Sequence, residues 1–142
     1  MKGDELKAVV RRIVNEWLFA GDPAVIVAYH ALDYVCHRPP YPDIEDTAGY
    51  KAWGDSFRAA FPDARYAISA LTAEEDTVVA QLTYRGTHTG AMGPNLPPTG
   101  KQVSGLGCIV WRWAHGKIVE EWQYWDELGF WQQLGFRLVP PA

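Results

Sequence analysis

Gly86-Thr87-His88-Thr89-Gly90, then Pro97-Pro98-Thr99-Gly100, the aromatic run Gln102–Ala114, Gly116-Lys117-Ile118, Trp125-Asp126 and Gln133-Leu134-Gly135 succeed one another over the last third of this chain. That stretch reads as antiparallel sheet. Strands are expected at Arg65–Thr72, Thr77–Thr87, Gln102–Ala114 and Lys117–Asp126 from their β-branched and aromatic content. Glu74-Glu75-Asp76 supplies one turn, and His115-Gly116 suits a tight hairpin. Three prolines and three glycines between Gly90 and Gly100 predict an ordered, irregular loop. The strand through Gln102–Ala114 is too long to stay flat, and Gly105 and Gly107 are places where it can bend.

Upstream the pattern is helical. Leu6, Val9, Val10, Ile13, Val14 and Trp17 recur at helical spacing, so an amphipathic helix is expected from about Asp4 to Phe19. Gly21 stops it, and Asp22-Pro23 reads as an N-cap and first-turn proline of a short helix through Tyr29. Leu32 to His37 is β-like, and Pro39, Pro40 and Pro42 stiffen the next loop. Asp46 or Thr47 can cap a third helix whose Tyr50, Trp53 and Phe57 share a face, with Pro62 marking its end. Helices followed by a curved mixed or antiparallel sheet give a single α+β domain over residues 1–142, cone-shaped, with three N-terminal helices on the concave face and a short C-terminal helix.

Composition narrows the partners. At 48% hydrophobic and 21% charged, the chain is globular, and its seven Trp and seven Tyr can fill a core, line a pocket or cover an interface. A net charge of -4 without a Lys/Arg stripe argues against nucleic acid and anionic membrane surfaces. No signal-peptide pattern or bilayer-length apolar run is visible, and Cys36 and Cys108 form no metal or redox motif, so a reduced, cytoplasmic protein is expected. Simple alternation in the last strand sets Val119 and Trp125 on one face, and Ile118, Trp122 and Tyr124 on the other. Two partly apolar faces suggest a homodimer formed through the sheet.

From the first helix to Gly135, and most specifically over Gly86–Gly135 with Phe61-Pro62-Asp63 in support, the chain resembles the SnoaL-like polyketide cyclases. The resemblance implies the cone fold shared with ketosteroid isomerase and nuclear transport factor 2, and an enclosed pocket for a small hydrophobic or aromatic substrate. It implies acid/base chemistry without metal or other cofactor: an aldol-type closure in which a pocket carboxylate moves the proton. A carboxylate in an apolar cavity loses solvation, and its pKa rises towards the working pH. The resemblance also places Gln123 and Ile109 where the cyclases carry their acid/base aspartate and its histidine neighbour. Glutamine cannot titrate. The base must lie elsewhere, or the protein runs a hydroxylation or dehydration, or only binds.

Candidate residues follow, each with a plainer use. Glu121, two residues from Gln123 on the same side, is a replacement base or a rim carboxylate paired with Arg85 or Arg112. Asp126 is a catalytic group at the pocket mouth or a helix N-cap. His88 points at substrate or fixes the proline-rich loop. By resemblance His37 is a polar wall residue, and structural otherwise. Trp17, Trp53 and Trp125 surround a flat ligand or fill the core, and Gln123 can hydrogen-bond a substrate carbonyl. His30 and His115 read as surface or turn residues.

Overall fold

The structure, a computed structural model, describes residues 2–142. Helix α1 (Gly3–Arg12) runs straight into a π-helical segment, Ile13–Phe19. The expected single helix therefore changes pitch midway, and the wider turns bring Ile13, Val14, Trp17 and Leu18 all into the core. Asp22 caps α2 (Pro23–Tyr29) by accepting from the Ala24 N–H at 3.0 Å, and Asp46 caps α3 (Thr47–Ala60) by accepting from Gly49 at 2.7 Å.

Strands β1 (His30–His37), β2 (Arg65–Glu74), β3 (Thr77–Thr87), β4 (Gln102–Ala114) and β5 (Lys117–Trp125) form one sheet in the order β1-β5-β4-β3-β2. Among the described residues only the β1–β5 pair is parallel, which makes the sheet mixed. His115 and Gly116, at φ +52° and +76°, turn the β4–β5 hairpin with the two left-handed residues such a tight turn requires. Helix α4 (Glu127–Gln133) closes the chain's last turn against β4.

The helices cover the concave face. Leu6, Val10, Ile13 and Trp17 meet Val78, Leu82, Ile109 and Trp111 in one core. Register in β5 departs from simple alternation. Trp113 pairs with Ile118 but Arg112 with Glu120, so Val119 is an extra residue in the strand. The bulge turns Ile118 into the core, together with Glu121 and Gln123 and away from Trp122 and Tyr124, correcting the alternation read from sequence. Leu106 and Tyr124 stand exposed on the other, outer face. No helix among the described residues is long and apolar enough to cross a membrane.

Candidate active site

A cavity of about 330 Å³ opens between α3, the sheet and α4. Trp53 and Phe57 come from α3, Tyr66 and Tyr84 from β2 and β3, Trp125 from the end of β5, and Phe130 from α4. Alternation along each strand turns these rings inward, and their edge-to-face contacts, such as Tyr84 to Trp125 at 5.4 Å, set the wall. Towards solvent, Tyr41 and Trp131 both donate to the Glu127 carboxylate, at 2.8 and 3.2 Å.

Behind this wall lies a polar interior. Trp125 Nε1 donates to Gln123 Oε1 at 2.9 Å, and Gln123 Nε2 donates in turn to Glu121 Oε2. Cys36, opposite Glu121 on β1, donates its thiol to the same oxygen at 3.5 Å. Trp111 is the facing residue on β4. Glu121 is fully buried and forms no ion pair among the described residues, and its second oxygen has no hydrogen-bond partner there. Burial is the main reason its pKa rises from 4.5 to about 7, against the hydrogen bonds from Gln123 and Cys36 that favour the anion. The Tyr34 hydroxyl and Trp111 indole also face the carboxylate, though neither closes a hydrogen bond with it.

More unsatisfied polar groups lie in the same core. The ring centroids of Tyr34, Tyr50 and His30 are within 5.4 Å of one another, and Trp17 stands 5.6 Å from Tyr50. The hydroxyls of both tyrosines, both His30 nitrogens and the Trp17 N–H find no partner among the described residues. Burial raises both tyrosine pKa values well above 10 and lowers His30 to about 4, so at neutral pH all three are uncharged. Cys36 is likewise held as a thiol by burial.

The sequence candidates therefore separate. Glu121 is neither at the rim nor paired with an arginine, because Arg112 bonds Glu120 at 2.9 Å on the opposite face. Gln123 spends its carbonyl and one N–H inside the protein, as the link between Trp125 and Glu121. Ile109, paired with Gln123 across the ladder, is core. Trp53 and Trp125 line the cavity, whereas Trp17 lies deeper, beneath the Arg58 guanidinium at 4.2 Å. His37 bridges Glu120 at 2.7 Å and Asp43 at 3.1 Å on the sheet's outer face. It is no cavity wall. His88 is buried against Phe61, and its Nδ1 accepts from the Thr99 N–H at 3.1 Å, which pins the proline-rich loop. Asp126 caps α4, accepting from Gly129 at 2.9 Å. His30 is buried, correcting its reading as a surface residue. No cluster that could hold a metal ion occurs among the described residues.

A curved mixed sheet lidded by helices, with an aromatic cavity between them and a buried carboxyl behind its wall, is the nuclear transport factor 2-like fold. The sequence pattern of the SnoaL-like polyketide cyclases matches residues 8–134, and the chain belongs to that family. Among solved structures it is similar to AclR, a proposed hydroxylase from Streptomyces galilaeus, at 27% identity and a TM-score of 0.83, covering 98% of this chain and 87% of that one. A proposed polyketide cyclase from Acidithiobacillus ferrooxidans is 32% identical, with a TM-score of 0.77 over 89% of this chain and 92% of that one. IdmH, a proposed polyketide cyclase from Streptomyces antibioticus, is 25% identical at a TM-score of 0.76, covering 91% and 97%. No curated protein sequence matches significantly.

Proposed function

We propose that this protein binds a flat, hydrophobic, oxygenated metabolite of polyketide type and moves a proton on it through Glu121, without a cofactor. One observation carries the reading: a fully buried carboxyl with no counter-charge among the described residues, a free oxygen and a pKa pushed to about 7. Such a group exchanges its proton readily near neutrality. As the carboxylate, Glu121 takes a proton from carbon next to a carbonyl, and the C–H electrons move into an enolate. Tyr34 and Tyr50, kept neutral by burial, are available to donate to the enolate oxygen. In a ring closure the enolate carbon adds to a second carbonyl of the same molecule, and the new alkoxide recovers the proton from Glu121. Trp125 and Gln123 stand between the cavity and the carboxyl, so this chemistry requires Trp125 to turn aside as substrate enters.

The test uses a polycyclic aromatic 1,3-diketone in D2O, with NMR following exchange of its acidic C–H. Wild type is expected to accelerate exchange, and Glu121→Gln to lose at least about 100-fold of that acceleration while still binding the probe. Full exchange by the variant overturns the assignment. Tight binding of such probes by wild type, with no exchange or turnover, leaves a ligand carrier instead. The likeness to AclR, a proposed hydroxylase, favours a second reading, oxygenation on the same scaffold. Product mass separates the two, because aldol closure conserves mass and oxygenation does not. The apolar outer face around Leu106 and Tyr124 supports pairing of two copies through the sheet, which sedimentation would reveal.

A further inference from the structure

Two charged side chains line the aromatic cavity, Arg38 and Glu127, and their situations differ. Glu127 is already served by the Tyr41 hydroxyl and the Trp131 indole. Among the described residues Arg38 has no ion pair, and its buried Nε has no hydrogen-bond partner. Its guanidinium lies 5.2 Å from the Tyr41 ring centroid and 6.0 Å from that of Trp53, held by two aromatic faces. A shallow groove on its other side carries Asp43 and Glu45, but neither comes within ion-pair distance, and Asp43 is taken by His37 at 3.1 Å. A guanidinium nitrogen buried without a partner is uncommon, since buried polar groups are ordinarily hydrogen-bonded.

We propose that Arg38 anchors a carboxylate of the ligand, so that the cavity takes a flat conjugated acid with its ring system among Trp53, Tyr66 and Trp125. The proposal rests on this cavity being the substrate site. A guanidinium offers parallel N–H donors in a plane, which match the two oxygens of a carboxylate better than the single oxygen of an ionised enol. The aromatic faces beside it accept the rings to which that carboxylate is attached. Pro39 and Pro40 follow Arg38 directly and restrict the backbone that carries it.

Anthraquinone-2-carboxylate and its carboxamide, titrated into the full chain with calorimetry and tryptophan fluorescence, test the anchor. Wild type should bind the acid at least about tenfold tighter than the amide, as a charge-assisted pair implies. Arg38→Gln should bind the two equally, holding the amide within about twofold of its wild-type affinity. Arg38→Lys, which keeps the charge but not the planar fork, should retain part of the preference. Melting curves for each variant check that the fold is intact. Equal affinity of wild type for acid and amide, including no measurable affinity for either, overturns the proposal, as does a preference that survives Arg38→Gln. Glu121→Gln should keep the preference for the acid. Loss of proton exchange in that variant, with no acid preference in wild type, refutes Arg38 as the anchor but leaves the Glu121 reading standing. The opposite pair of results does the reverse.

Discussion

Replacing Glu121 by glutamine should change how stability depends on pH, and by a calculable amount. The folded protein raises this carboxyl from 4.5 to about 7 by burying it. Below pH 4.5 the group is protonated in both folded and unfolded chains and carries no electrostatic penalty. As pH rises towards 7 the unfolded chain gives up its proton while the folded one keeps it, so the contribution of this site to stability falls. Above 7 both forms are ionised and the full cost of a buried charge is felt. The shift corresponds to about 3 kcal/mol between those limits. For a domain of this size, that is about 10 °C in melting temperature. Glutamine has similar shape and no charge, so Glu121→Gln lacks the effect, and other titrating groups, such as the outer-face His37, cancel in the comparison. Urea unfolding of both proteins at intervals from pH 4 to 8.5 measures it. The stability difference should move by about 3 kcal/mol in favour of the variant on going from acid to alkaline pH. A difference that stays constant across that range would mean that Glu121 ionises as an ordinary carboxylate, and the proton-transfer argument would fall with it.

Other expectations concern the frame around that carboxyl. Gly107→Ala places a methyl group against the Trp125 ring, so the indole must shift, breaking its bond to Gln123 and lowering probe affinity by at least about tenfold; tryptophan fluorescence and calorimetry would show both. His88→Ala removes the acceptor for the Thr99 N–H and the ring against Phe61, which should cost about 2–3 kcal/mol in urea unfolding and speed proteolysis between Gly90 and Gly100. Asp126→Ala should lose only a helix cap, about 1 kcal/mol of stability, with the rate of probe proton exchange unchanged.

Much of this architecture was legible from pattern. The Thr77–Thr87 and Gln102–Ala114 strands, the Asp22 and Asp46 caps and the His115-Gly116 turn were set by local chemistry, and each occurs where expected. What escaped depended on irregular backbone or on three-dimensional neighbours. The Val119 bulge shifts the phase of β5, so period-two counting from either end misplaced Ile118. Between His30 and Val35 the pairing of β1 with β5 slips, leaving Leu32 exposed, so no alternation pointed to a buried His30. Glu121 read as either rim or base because sequence could not say that Arg112 faces the other way. Tyr34, Cys36 and Tyr50 gained their significance only from converging on that carboxyl, and Arg38 from lacking a partner.

Titration of Glu121 itself, by NMR of the side-chain carboxyl carbon in selectively labelled protein, reaches the heart of the matter. An ionisation near pH 7, absent from Glu121→Gln, is expected. A midpoint near 4.5 would show a solvated, ordinary acid, and would leave this pocket without its proposed proton carrier.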